Sequence, residues 1–217
     1  MTDTAVIVFA RVPRLGRVKT RIAARVGEDR ALAVHRALLE RALQCAALVS
    51  EAWRELCIAG DDEAGECARL ANSYDMRLTV QVGADLGERM FEALHRHTLA
   101  GRRVVLMGAD CPWLEPHHLR RALELLQAHE QVFAPALDGG YVMVGSRCAH
   151  RDLFTGIDWG SSRVMAQTRD RLETLAMSAG FLQPLRDVDT WDDWQAWRAD
   201  LRSTGAGAGD EPPRKRC

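Results

Sequence analysis

Apolar residues fall along this chain in two alternating rhythms. Residues 5–10 (Ala-Val-Ile-Val-Phe-Ala) form an unbroken apolar run, the pattern of a strand covered on both faces. Across residues 28–50, Leu32, Leu39, Leu43 and Ala46 return at helical spacing, which predicts one long helix. The alternation then repeats. Strand-like segments at 55–59, 77–82 and 103–107 are separated by a short helix through 67–70 and a helix over 87–100 bearing Met90, Leu94 and Thr98. Pro116 suits the first turn of a helix running to 129. The rhythm breaks at two closely spaced apolar runs, 131–136 and 141–144, joined by Leu137-Asp-Gly-Gly140. Asp-Gly between two such runs predicts a hairpin or sharp reversal. A helix over 161–178, a strand at 181–185 and a terminal helix over 191–202 complete the pattern.

Regular strand–helix alternation implies an α/β fold, a mostly parallel sheet with helices on both faces. No internal repeat interrupts it. Residues 203–217 carry no apolar periodicity and are expected to form a disordered tail, leaving 1–202 as one domain. Composition adds constraints rather than identity. The 217 residues, 47% hydrophobic and 27% charged, suit a soluble globular protein. A formal net charge of −1 gives no general attraction to nucleic acid or membrane, so neither is expected as a partner and any anion site must be local. No stretch approaches the roughly 18 apolar residues of a membrane span, and no signal peptide pattern opens the sequence. Six cysteines without a C-x-x-C pair read as reduced thiols, argue against a zinc site and point to the cytoplasm. The sequence leaves monomer and homodimer equally open.

Charge identity changes the picture most. Twenty-seven arginines stand against two lysines, Lys19 and Lys215, so Lys19 is an exception to the chain's own habit. Lysine offers a compact point charge to a phosphate oxygen, whereas arginine is a planar fork. Around Lys19 the segment Arg11-Val-Pro13-Arg-Leu-Gly16-Arg-Val-Lys19-Thr20-Arg21 is basic. It turns through Pro13 and Gly16 and lies just past the first strand, where open α/β sheets bind ligands. It also runs into a helix start, whose free N–H groups favour anions. It is not a Walker loop, because Val18, not glycine, precedes Lys19. Nor is there a G-x-G-x-x-G.

Four acids are candidates to complete a site. Asp110, on the Gly-Ala-Asp-Cys-Pro turn after the fourth strand, is placed to hold Mg2+ against phosphate oxygens, or simply to cap a turn. Asp138 lies in the Asp-Gly-Gly turn, where Gly139 and Gly140 would let backbone approach a ligand. Asp187 and Asp189 follow the last strand, and Asp189 or Thr190 also suits the N-cap of the terminal helix. Arg89, in the first turn of its helix, points either into the pocket or to solvent. Trp159, Trp191, Trp194 and Trp197 suggest base stacking, but the i, i+3 pair Trp194/Trp197 is more simply a core-facing stripe. The seven histidines show no ligand spacing, and no Ser or Cys is tied to a base as a nucleophile.

Four segments carry a resemblance when taken in order: Phe9-Ala-Arg-x-Pro-x-x-Gly-x-x-Lys-Thr-Arg21, Gly108-Ala-Asp-Cys-Pro112, Pro135-Ala-x-Asp-Gly-Gly-Tyr141 and Asp187-Val-Asp-Thr190. Together they resemble the rSAM/selenodomain-associated transferases, a GT-A-like group. More distantly they resemble the molybdenum-cofactor and 2-phospholactate guanylyltransferases. The resemblance spans roughly residues 6–194 and implies a nucleotide-diphospho-sugar transferase fold, a Rossmann-type sheet. It further implies that Arg11, Pro13, Gly16, Lys19, Thr20, Arg21 and Arg89 bind a nucleotide's phosphates. Lys19 and Asp110 would act in catalysis, and Asp110, Asp187 and Asp189 would hold Mg2+ or Mn2+. Asp138, Gly139, Gly140 and Tyr141 would line the acceptor side. The substrates implied are a nucleotide or nucleotide-sugar and a small acceptor. The chain lacks the G-x-G-x-R opening of sugar-nucleotidyltransferases and the D-x-D of many glycosyltransferases, so glycosyl and nucleotidyl transfer both stand. A nucleotide- or partner-binding protein that has kept the fold without catalysis is the alternative.

Overall fold

The apolar runs become strands of one sheet in a computed structural model that describes residues 3–50 and 52–203. Among these residues the strands are β1 (Thr4–Arg11), β2 (Trp53–Ala59), β3 (Arg77–Val80), β4 (Arg103–Gly108), β5 (Gln131–Pro135), β6 (Tyr141–Ser146) and β7 (Ala179–Phe181). Their order across the sheet is β3-β2-β1-β4-β6-β5-β7. β1 pairs in parallel with both β2 and β4, while β6 runs antiparallel to both β4 and β5. The Asp-Gly-Gly turn therefore makes the one reversal in a mostly parallel sheet, because a short connection can return a strand only antiparallel.

Helices α1 (Thr20–Val26), α2 (Glu28–Ala47), α3 (Glu66–Ser73), α4 (Leu86–Leu99), α5 (Pro116–Leu125), α6 (Val164–Thr174) and α7 (Trp191–Ser203) cover both faces. Successive residues of β1 choose opposite sides. Val6 and Val8 join Leu39 and Leu43 of α2 and Leu119 of α5. Ala5, Ile7 and Phe9 join Met90 and Leu94 of α4 and Leu172 of α6. That is period-2 patterning in a strand buried on both faces, and each fully covered Leu or Ile contributes about 1.5–3 kcal/mol. A third cluster lies under α1, α2 and α7, where Ile22, Val34, Leu38, Val188, Trp194 and Trp197 pack together. The tryptophan pair is core, with ring centroids 5.0 Å apart, rather than a stacking platform.

Several boundaries differ from the pattern-based expectation. α2 stops at Ala47 and buries Val34, His35 and Leu38, while Leu32 is only half-buried. β3 ends at Val80, and α5 ends at Leu125. α6 begins at Val164, and a 3-10 turn at Arg151–Phe154 precedes it. β7 lies at Ala179–Phe181, not 181–185. Pro184 lacks a donor, and the chain there keeps only a single bridge between Ala136 and Leu185. Cys45, Cys57, Cys67, Cys111 and Cys148 are free thiols. The expected tail, with Lys215 and Cys217, lies outside the described residues apart from Ser203, which closes α7. No helix among the described residues is long and apolar enough to cross a membrane.

Candidate functional site

Three segments meet beyond the carboxyl ends of the central strands. The first is the loop from β1 to α1. Pro13 and Val18 are buried and anchor it, Gly16 turns with φ 71°, and Thr20 starts α1 with its side chain in solvent. His35, on the buried face of α2, lies within hydrogen-bond distance of the Arg11 carbonyl, with Nε2 at 2.9 Å. Burial is the main reason its pKa falls below the ordinary histidine value, so it holds that carbonyl as a neutral ring. Lys19 has φ 48° and ψ 48°, left-handed backbone that a non-glycine residue adopts only where its surroundings enforce it.

What enforces it is the side chain's destination. The Lys19 side chain is 6% exposed, and its ammonium lies 2.8 Å from Asp110 Oδ1. It donates a hydrogen bond to the Val188 carbonyl at 2.7 Å and lies 3.9 Å from Asp189 Oδ1. Asp110, the second segment, sits two residues past β4. Its Oδ1 is buried without a well-angled hydrogen bond, so the Lys19 charge is what serves it. The carboxylate as a whole is half-exposed, which leaves its other side open.

The third segment, residues 185–189, is laid between the other two. The Leu185 carbonyl accepts from Leu137 N, the Arg186 carbonyl from Cys111 Sγ at 3.1 Å, and Val188 N donates to the Asp110 carbonyl. Val188 is fully buried, while the aspartates on either side of it stay partly exposed. Asp187 feels burial first, then the negative charges of Asp189 and Asp138, and its pKa is pushed up to about 6. Asp189 also pairs with Arg21 at 3.0 Å. Thr190 caps α7 through reciprocal bonds with Asp193, so Asp189 is left to the cleft.

The turn after β5 faces this segment. Gly139 has φ 95°, and a Cβ on it would meet the Ser162 carbonyl oxygen at 2.1 Å; only glycine fits there. Asp138 Oδ1 accepts from Gly140 N at 2.9 Å. Tyr141 is packed edge-on against Phe133 and Trp159, with its hydroxyl 4.0 Å from Met90 Sδ; burial raises its pKa. The side chain thus belongs to the wall between the turn and α4. Arg89 Nε donates to the Gly83 carbonyl and lines a pocket of about 110 Å³ with Gln81, Val82 and Arg96.

The structure thus draws together Lys19, Arg21, Asp110 and Asp189, with Asp187 and Asp138 in electrostatic range. Among the described residues, no hydrogen bond or ion pair joins the side chain of Pro13, Thr20 or Arg89, or Gly16, to that group. Sequence reading missed His35, whose signal was a polar residue on the apolar stripe of α2, and Val188, whose contribution is backbone and had no signal. The donors available to a cation are carboxylate and carbonyl oxygens, which suit a hard divalent ion. Among the described residues no three His, Cys, Asp or Glu side chains are grouped to hold a metal by themselves. Cys111, whose pKa burial pushes up to about 12, is an inert thiol there.

Solved structures share this architecture. A Desulfovibrio desulfuricans G20 protein provisionally described as a nucleotide-diphospho-sugar transferase is 31% identical, with a TM-score of 0.84 over 94% of this chain and 90% of that one. A cytidylyltransferase from Leptospira borgpetersenii serovar Hardjo-bovis shares the fold at 13% identity, with a TM-score of 0.62 over 94% and 88% of the two chains. So does Rv0371c of Mycobacterium tuberculosis H37Rv, crystallised with manganese, at 22% identity and a TM-score of 0.50 over 89% and 97%. No curated protein matches the sequence. The fold is that of the nucleotide-diphospho-sugar transferases, and the family profile matches residues 23–161. The chain is a member of the family described as "Uncharacterized protein conserved in bacteria (DUF2064)".

Proposed function

We propose that this protein is a transferase that uses an activated nucleotide together with Mg2+ or Mn2+. The observation that carries the reading is the corner beyond β4 and β1, where, among the described residues, the four aspartates Asp110, Asp138, Asp187 and Asp189 form ion pairs only with Lys19 and Arg21. An acid excess at the carboxyl edge of an open α/β sheet suits a cation that arrives with phosphates. Asp110, Asp187 and Asp189 would hold it, and when bound it would neutralise charge on phosphate oxygens.

The remaining roles fall to the chain itself. Arg11, Arg21 and the loop through Pro13, Gly16 and Thr20 bind and orient the phosphates, and Lys19 supplies a point charge as the leaving group develops. Arg89 binds on the nucleotide side. The turn Asp138-Gly139-Gly140, backed by Tyr141, positions a small acceptor. In the nucleotidyl form an acceptor oxygen attacks the α-phosphorus and pyrophosphate leaves. In the glycosyl form it attacks the sugar's anomeric carbon and a nucleoside diphosphate leaves. The finer kinship with rSAM/selenodomain-associated transferases belongs to the same proposal, as does a cytoplasmic location, which suits the free cysteines.

A thermal-shift series with nucleoside triphosphates and nucleotide-sugars, with and without Mg2+ or Mn2+, tests the reading. A ligand at one hundred times its Kd stabilises by about 2.7 kcal/mol. A metal-dependent shift is expected, and released pyrophosphate or nucleoside diphosphate then identifies the reaction. No metal-dependent shift with any nucleotide sinks it. One observation favours a second reading, a binding protein without catalysis: the Lys19 ammonium is already taken up by protein oxygens. Shifts that persist in Lys19→Ala and Asp110→Asn, with no turnover in any chain, would support that.

A further inference from the structure

The Lys19 ammonium lies among two carboxylate oxygens, Asp110 Oδ1 and Asp189 Oδ1, and one backbone carbonyl, that of Val188. This is the donor set a hard divalent cation takes: carboxylate and carbonyl oxygens, with the remaining positions left to water or phosphate. Only 6% of the side chain is exposed, and the residue carries left-handed backbone while holding this position.

We propose that Lys19 is the resident counter-ion of this oxygen nest, and that a divalent cation and the lysine exchange there. Entry of the cation at Asp110 and Asp189 releases the ammonium, which is then free for a phosphate oxygen. Resting on the transferase reading above, this deepens it by giving the order of events: the free protein holds the cation weakly, and nucleotide and metal enter together. The direction follows from charge. An ammonium 2.8 Å from Asp110 repels a divalent ion sharing the same carboxylate, and a triphosphate or diphosphate that draws Lys19 away removes the repulsion. The coupling is reciprocal, so metal raises nucleotide affinity by the factor that nucleotide raises metal affinity.

The sequence supplies the probe. Only Lys19 and Lys215 are lysines, so the wild-type chain labelled with 13Cε-lysine gives two side-chain signals. Saturating Mg2+ with a non-hydrolysable triphosphate is expected to move the Lys19 signal. Manganese binding without nucleotide, read by electron paramagnetic resonance, is expected to tighten about tenfold in Lys19→Met, within the usual span of site–site couplings. A Lys19 signal unmoved at saturating metal and nucleotide overturns the exchange. So does a folded Lys19→Met chain that binds Mn2+ no tighter than wild type. If Lys19→Met gains Mn2+ affinity while no nucleotide stabilises the wild type, the exchange stands and the transferase reading falls.

Discussion

Glu55 and Asp110 are both acids beside cations, and the molecule treats them in opposite ways. Glu55, mid-strand in β2, is 3% exposed and fully answered: Thr79 Oγ1 and Arg96 each donate at 2.6 Å, and His97 Nε2 lies at 3.2 Å. Burial pushes its pKa up, but the His97 and Thr79 hydrogen bonds and the Arg96 charge outweigh that and hold it below the ordinary glutamate value. Asp110 has one buried oxygen served by a single ammonium and one open side. Its neighbour Asp187, pressed by burial and by Asp189 and Asp138, moves the other way, to about 6. A buried acid with every partner in place stabilises a fold. An under-partnered acid cluster at a strand end is a candidate site for a ligand.

The sharpest way to break this contrast is to neutralise each acid. Asp110→Asn is expected to lower turnover at least about 100-fold, equivalent to about 2.7 kcal/mol of lost transition-state stabilisation. Its melting temperature should stay close to wild type, because Lys19 keeps the Val188 carbonyl and Asp189. A large stability loss with normal turnover would reverse the assignment. Glu55→Ala should do the opposite. Denaturant unfolding is expected to show a loss of about 2–3 kcal/mol, since buried His97 and half-buried Thr79 lose their acceptor while half-exposed Arg96 recovers water. Turnover per folded molecule should hold.

A smaller effect separates the two by pH. Glu55 has a folded pKa below its ordinary 4.5, so its contribution is complete above that value and is lost as pH falls through the lower folded one. Glu55→Gln should therefore flatten the fall in melting temperature between about pH 5 and about pH 3, relative to wild type. An unchanged slope would mean the carboxylate is not held charged by its partners. The smallest expected change is Tyr141→Phe. Among the described residues the hydroxyl has only Met90 Sδ at 4.0 Å, so stability should stay within about 0.5 kcal/mol and turnover should be unchanged. A marked drop in turnover alone would bring that hydroxyl into the acceptor site.

Much of the scaffold was legible because it rests on periodicity. The run at residues 5–10 and the Asp-Gly-Gly turn are local signals, and both correspond to what the sheet does. The candidate loop and acids were legible as residue types at strand ends. Their mutual geometry was not. Nothing near Lys19 announces that its ammonium turns inward to a carbonyl 169 positions away, because backbone acceptors carry no side-chain signature. His35 did leave a trace, as a polar residue on an otherwise apolar stripe, but nothing tied it to the Arg11 carbonyl. β7 was misplaced because its three residues are held by pairing with β5 rather than by their own pattern.

The 169-residue span of the Lys19–Val188 bond bears on how the protein is born. Domains emerge from the ribosome amino end first, at about 5–20 residues per second. β1 and its loop are therefore in the open long before the segment that receives the lysine. Until residues 187–189 emerge, Lys19 has neither the Val188 carbonyl nor Asp189 to hold it, and the Asp110 loop lacks its backbone clasp. Every nascent chain passes through a stage in which the sheet's central strands are complete and the corner is not. Assembly of this corner is thus a late event in synthesis, closed by the arrival of one buried valine.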